Sequence, residues 1–254
     1  MSARPSLASI AVTIPFWLVV GLTAPVLFVV AALIFVVTAP FDANRRFLHG
    51  YVCRVCHGYL RLNPCWRVRV EGRQHIPEGA VLLVANHQSL ADVVAAMGLF
   101  RQFKFVSKAS LFSLPIVGWA MLMLRYVRLE RGRPHSTRRM LETCRTWLRR
   151  GVPVLMFPEG TYAPGAALLH FKPGAFLLAI EERIPVVPVL LSGTRDLVVE
   201  DGPWMAARAK VSVRVLAPIR LPAEADATGT AATLREMFAR ELGRPLFPEG
   251  HGGP

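Results

Sequence analysis

No charged side chain occurs between Arg4 and Asp42. Those 37 consecutive residues are enough to cross or enter a hydrocarbon layer about 30 Å thick, so the rest of the chain must fold beside an element that prefers lipid to water. Pro15, Pro25 and Pro40 divide the stretch. Each proline removes an amide donor and bends a helix, so one tilted helix and a re-entrant pair of half-helices of about 12 residues both fit. Of the two we favour the hairpin. A cleaved signal peptide is not expected, because the run far exceeds an h-region of roughly 7 to 15 residues and Pro40 follows the one small-residue site, Thr38-Ala39.

Arg45, Arg46, Arg54, Arg61, Arg67, Arg69 and Arg73 follow the apolar run, whereas Arg4 alone precedes it. By the positive-inside rule this predicts a cytoplasmic-membrane protein with the bulk of its chain on the cytoplasmic side. Phe47, Leu48, Tyr51, Val52, Val55, Tyr59 and Leu62 recur at helical spacing among these arginines, which predicts an interfacial amphipathic helix. Three units result: a membrane-embedded segment over residues 1–42, the interfacial helix over 43–65, and a domain over 66–254.

The net charge of +13 points to anionic partners. Arginine supplies 26 of the 30 basic residues, a bias that a GC-rich genome also produces. No nucleic-acid motif accompanies the charge and the apolar segment sits beside it, so the expected partners are membrane lipids and anionic ligands, with no nucleic acid. Cys53-Arg54-Val55-Cys56-His57 matches the pattern for covalent haem attachment, and Cys65 would complete a zinc set. Haem attachment needs an exported domain, which the arginine asymmetry opposes, and Cys53, Cys56 and His57 fall inside the amphipathic helix. Reduced thiols in a cytoplasmic domain are expected instead, with no metal or other cofactor.

Beyond the helix, Trp66, Val68 and Val70 alternate with Arg67, Arg69 and Glu71, a half-buried strand. Further strands are predicted at residues 81–84, 103–107, 126–129, 152–157, 186–191 and 210–218. Helices are predicted after residue 90, over 111–124, 136–150 and 174–183, and from about 231 to 242. The alternation predicts an α/β domain whose mixed sheet is flanked by helices, with ligands gathering where strands end and helices begin.

Two such points carry chemistry. The heptapeptide Asn86-His87-Gln88-Ser89-Leu90-Ala91-Asp92 directly follows an apolar strand. Five residues on a helix amount to about 140° of rotation, so His87 and Asp92 meet only if His87 lies ahead of the first full turn. An Asp that orients a His suits activation of a hydroxyl. Glu159-Gly160-Thr161 follows a second buried strand, where Gly160 lets backbone approach a ligand. Lys172 and Gly174 follow at the mouth of a helix whose N-terminus favours anions.

The heptapeptide resembles the first motif of the glycerolipid acyltransferases, in particular the bacterial 1-acylglycerol-3-phosphate acyltransferases. Lys108, Leu111, Pro115 and Gly118 with Arg131 resemble the second motif, and Phe157-Pro158-Glu159-Gly160-Thr161 with Phe171, Lys172 and Gly174 the third. Ile184-Pro185-Val186-Val187-Pro188-Val189 is similar to the fourth. The resemblance implies that His87 is a general base oriented by Asp92, and that Arg131, Glu159, Gly160, Thr161 and Lys172 bind the acceptor. It implies acyl transfer to 1-acylglycerol-3-phosphate from acyl-CoA or acyl carrier protein, with no covalent intermediate on Ser89. Two departures stand out. Tyr162-Ala163 replaces the family's usual Arg and Ser, and Arg125 stands where a Gly is common and would supply the missing charge. The alternatives are another acceptor, such as lyso-ornithine lipid, or a non-catalytic membrane-anchored lipid-binding protein.

Overall fold

The computed structural model describes residues 6–162, 165, 167–198 and 203–247; Arg4, one side of the charge asymmetry, lies outside them. Its helices and strands follow one another as α1 (Leu7–Thr38), α2 (Arg46–Leu60), β1 (Trp66–Glu71), β2 (Leu82–Ala85), α3 (Ala91–Ala96), β3 (Lys104–Lys108), α4 (Val117–Met123), β4 (Val127–Leu129), α5 (Pro134–Arg149), β5 (Val154–Met156), α6 (Gly174–Glu181), β6 (Val186–Ser192), β7 (Ala209–Val215) and α7 (Ala227–Leu242). The strands form one mixed sheet in the order β1-β7-β6-β2-β5-β3-β4. β6, β2, β5, β3 and β4 are mutually parallel, while β7 runs antiparallel to β6 and carries β1 in parallel beside it.

The apolar run at 81–85 is unbroken because both faces of the sheet are covered. Val81, Leu83 and Ala85 enter a core built with Ala31, Leu48, Cys53, Ala95 and Met121 of α1 to α4. Leu82 and Val84 enter a second core with Met140, Trp147, Phe176 and Phe238 of α5 to α7. β2 lies between β6 and β5, with Val84 opposite both Pro188 and Met156, so the chain after β2 emerges beside the chain after β5.

α1 corrects the hairpin expectation. It is a single helix of 32 residues, about 48 Å long, with Pro15 and Pro25 inside it. Its contacts explain why it does not fold back. The Ser9 hydroxyl donates to the Met205 carbonyl at 2.7 Å, and the Met205 N–H donates to Thr13 Oγ1 at 2.8 Å. Trp17 Nε1–H reaches the Pro203 carbonyl at 2.7 Å and the Tyr51 hydroxyl reaches the Leu27 carbonyl at 2.9 Å. At the far end Arg45 donates to the Ala39 carbonyl at 3.1 Å. A re-entrant turn at Pro25 would break this line of ties, which holds α1 flat along the domain. Its other face leaves Leu18, Leu22, Val26, Val29, Leu33 and Val37 exposed.

α2 buries Leu48, Cys53 and Leu60 against the core and exposes Arg46, Phe47 and Arg54. Burial pushes the Cys53, Cys56 and Cys144 thiols up to about 12, so they stay protonated at neutral pH, while Cys65 is exposed. The helix expected over 111–124 is also corrected. Pro115 blocks it and Ile116 turns at φ +63°, leaving a 3-10 turn over Ala109–Ser113 and then the short α4.

Candidate active site

Parallel strands in one sheet bring their C-terminal ends to a common edge, which is where open α/β sheets bind ligands. Here that edge collects His87 after β2, Glu159 after β5, Lys108 at the end of β3, Arg131 after β4 and Thr194 after β6. The chain leaving β2 is latched to its neighbour. Asn86 accepts from the Leu191 N–H at 2.8 Å and donates to the Leu191 carbonyl at 2.9 Å, and Gln88 Nε2 donates to the same carbonyl at 2.8 Å.

From this latch the chain wraps around Asp92 in the first turn of α3. Asp92 Oδ2 accepts from His87 Nδ1–H at 2.8 Å, from the Gln88 N–H at 2.6 Å and from the Ser89 N–H at 2.9 Å. The Thr194 hydroxyl donates to the remaining oxygen, Oδ1. His87 precedes α3, so the rotation that would separate the pair on a continuous helix does not apply. A carboxylate only accepts, so Nδ1 carries the imidazole proton and Nε2 keeps its lone pair. Among the described residues Nε2 has no hydrogen-bond partner. The ring is stacked on Phe157, centroids 4.2 Å apart, with Tyr162 edge-on at 5.7 Å.

His87 opens into a cleft of about 400 Å³. Its rim carries Lys108, Arg131 and Lys172, and its wall carries apolar groups including Val106, Leu129, Met140 and Met156. The N-terminal residues of α6, Gly174 and Ala175, also face it, adding backbone partial charge of the same sign as the three cations. The arrangement suits a ligand with an anionic head and an apolar tail, held beside a free imidazole nitrogen. Arg131 Nη1 lies 3.4 Å from Thr161 Oγ1. Gly160 adopts φ +73°, and the Lys172 side chain lies over it so closely that an added Cβ would sit 2.7 Å from Nζ.

Glu159 departs from its expected role as a ligand for the acceptor. It is buried and turned away from the cleft, because both carboxylate oxygens are taken by main chain: Oε1 by the His87 N–H at 2.6 Å and Oε2 by the Leu169 N–H at 2.9 Å. Burial pushes this carboxyl up to about 7, against the two amide bonds that favour its charged form. It braces His87 from behind.

Residues 67–192 match the family model described as Acyltransferase. The chain belongs to the acyltransferase family. It is 32% identical over 206 residues to a chloroplastic 1-acyl-sn-glycerol-3-phosphate acyltransferase of Arabidopsis thaliana, covering 80% of this chain and 58% of that one. A 1-acyl-sn-glycerol-3-phosphate acyltransferase of Pseudomonas aeruginosa is 29% identical over 219 residues, 79% of this chain and 83% of its own. The fold matches the crystal structure of the 1-acyl-sn-glycerophosphate acyltransferase PlsC from Thermotoga maritima with a TM-score of 0.71 at 24% identity, over 94% of this chain and 98% of that one.

Within this acyltransferase domain the suggestion that Arg125 replaces a missing cleft cation fails. Arg125 precedes β4 and Arg131 follows it, so they lie at opposite ends of the strand, about 20 Å of extended chain apart. Arg125 sits close enough to Lys104 to lower its pKa, at the end of the sheet away from His87. Ala163, half of the other departure, lies outside the described residues. Sequence reasoning missed Thr194 and Arg244. The Arg244 guanidinium, from the segment after α7, donates to Gln88 Oε1. Both contacts join residues more than 100 positions apart, and no local pattern marks them.

Proposed function

We propose that this chain transfers a fatty acyl group from acyl-CoA or acyl carrier protein to the free hydroxyl of 1-acylglycerol-3-phosphate, giving phosphatidic acid. The observation that carries the reading is the free Nε2 of an Asp92-held His87 opening into an apolar cleft rimmed by Lys108, Arg131 and Lys172. The cations receive the acceptor's phosphate, placing its hydroxyl beside Nε2. That nitrogen takes the hydroxyl proton as the oxygen attacks the thioester carbonyl carbon, forming the new C–O bond and a tetrahedral oxyanion. Asp92 stabilises the imidazolium. Collapse of the oxyanion breaks the C–S bond, and the imidazolium returns its proton to the leaving thiolate. Protons balance, and the enzyme is never acylated.

The exposed apolar face of α1 supports a seat on the membrane. Phe28 packs on Trp119 at 5.6 Å, continuing that face to Trp119 and Leu122 of α4, beside the cleft-lining Leu111. A lipid acceptor then enters sideways from the bilayer. The arginines after α1 favour the cytoplasmic side. Tyr162, beside His87 where the family usually carries Arg, supports a second acceptor, lyso-ornithine lipid.

The test is acyl transfer by purified protein offered acyl-CoA or acyl carrier protein thioester with lysophosphatidic acid or lyso-ornithine lipid. Turnover of lysophosphatidic acid that falls about 10² to 10⁴-fold in His87→Ala, with folding retained, supports the reading. No transfer to either acceptor, or a wild-type rate equal to that of His87→Ala, rejects it.

A further inference from the structure

A second cavity, of about 500 Å³, lies at the other end of the strands. Val152 lines it and Met156 lines the catalytic cleft, so the two are about 13 Å apart along β5. Its wall carries Arg46 from α2, Arg101 before β3 and Arg150 after α5, together with His49, Gln102 and one carboxylate, Glu78. Three guanidiniums facing one carboxylate leave net positive charge. Among the described residues none of the three makes an ion pair: Arg101 donates to the Pro77 carbonyl at 3.0 Å, and Arg150 lies over the Trp147 ring at 5.2 Å.

Asp42 offsets part of that charge: its Oδ2 accepts from the Phe47 N–H at 3.0 Å in the first turn of α2, the helix that Arg46 opens. Behind the cavity, Lys104 is fully buried, donating to the carbonyl of Asn44, a lining residue, at 2.9 Å and to the Leu124 carbonyl. Burial pushes its ammonium down to about 7, with Arg125 and Arg45 acting in the same direction and Asp42 opposing.

The place of the cavity in the molecule identifies the source of an anion. Phe41 and Phe47, 68% and 61% exposed, meet edge-on at 6.3 Å on either side of Arg46 in the sequence, at the turn where α1 ends and α2 begins. Exposed aromatics beside arginine on a helix that leaves an apolar surface have the make-up of a lipid interface, with rings at the acyl boundary and guanidiniums at headgroup depth. Guanidinium forks match phosphate oxygens in pairs.

We propose that this cavity binds the phosphate of an anionic phospholipid headgroup, at a site separate from the catalytic cleft. The ligand tethers the α1–α2 turn to anionic membrane.

Calorimetric titration of the full chain in a neutral maltoside detergent tests it, with dihexanoyl phosphatidylglycerol, dihexanoyl phosphatidylcholine and inorganic phosphate as probes. Arg46→Gln with Arg150→Gln should weaken phosphatidylglycerol binding about tenfold or more, while Arg131→Gln with Lys172→Gln leaves it unchanged. Arg46 and Arg150 are exposed, so the melting temperature should hold, and acyl transfer in detergent should persist, in the Arg46→Gln, Arg150→Gln variant. Weaker binding of inorganic phosphate than of lipid supports a headgroup site. Equal binding with the same dependence on Arg46 and Arg150 keeps the phosphate site and assigns it to the free ion. Absence of phosphatidylglycerol binding, binding that survives the cavity variant, or binding lost only in the cleft variant overturns the proposal. Acyl transfer is read separately, so either reading can fail without the other.

Discussion

Asp92 accepts four hydrogen bonds, three at one oxygen and one at the other, and the asymmetry predicts how its variants behave. Asp92→Asn can keep its amide oxygen under the three donors and turn its NH₂ toward Thr194, whose hydroxyl can accept. The fold should survive while the charge that stabilises an imidazolium is lost. Acyl transfer should fall about 10² to 10⁴-fold with an unchanged melting curve. Thr194→Val leaves a buried oxygen without its donor, at a cost of about 1 to 3 kcal/mol, and Thr194→Ser should recover both stability and rate. Glu159→Gln cannot serve two backbone N–H groups, since one end of the amide is itself a donor. A loss of about 1 to 3 kcal/mol and a lower kcat at nearly constant KM are expected, where a substrate-binding role would raise KM instead. Because burial holds the Glu159 carboxyl near 7 when folded, against an ordinary 4.5, the folded state keeps a proton there that the unfolded state has lost. The contribution of Glu159 to stability therefore declines as pH rises from about 4.5 to about 7, and the melting gap between wild type and Glu159→Gln should narrow between pH 5 and pH 8.

Among the elements, α7 shows how a cap sets a boundary that periodicity hides. Asp226 accepts from the Thr228 N–H at 3.1 Å and the Gly229 N–H at 2.6 Å, and the helix begins at Ala227, although Thr228, Gly229 and Thr230 are poor helix formers. The periodic pattern becomes visible only from about residue 231. Asp226→Ala should cost about 0.5 to 2 kcal/mol in denaturant unfolding while leaving turnover per folded molecule unchanged. Strands were easier to read. β2 and β5 are covered on both faces and so stand out as apolar runs, and β1 alternates. The two misread helices failed for different reasons. At α4 the apolar residues continue through Pro115, so hydrophobicity outlasts the helix. At α1 the deciding bonds, such as Ser9 to Met205, join residues 196 positions apart and leave no trace in local sequence.

For the molecule as a whole, His87 and Asp92 were legible together because both lie within one heptapeptide. Glu159 was legible as a participant but not in its orientation, which depends on β5 lying next to β2. Arg125 reads in sequence as the source of the charge missing at Tyr162-Ala163, but β4 places it at the opposite end of the strand from Arg131. Membrane attachment is testable at this scale. Leu22 and Leu33 are exposed on the outer face of α1, so Leu22→Lys with Leu33→Lys should remove the protein from floated liposomes without lowering its melting temperature in detergent. Retained flotation would show that α1 is not the principal anchor.

The ties from Ser9 to Ala39 bear on where new lipid goes. On the function proposed above, a helix tied along its domain rests in the leaflet the domain faces, and acyl lipid leaving the cleft enters that leaflet first. Growth of the other half of the bilayer then calls for a separate process that flips lipid across.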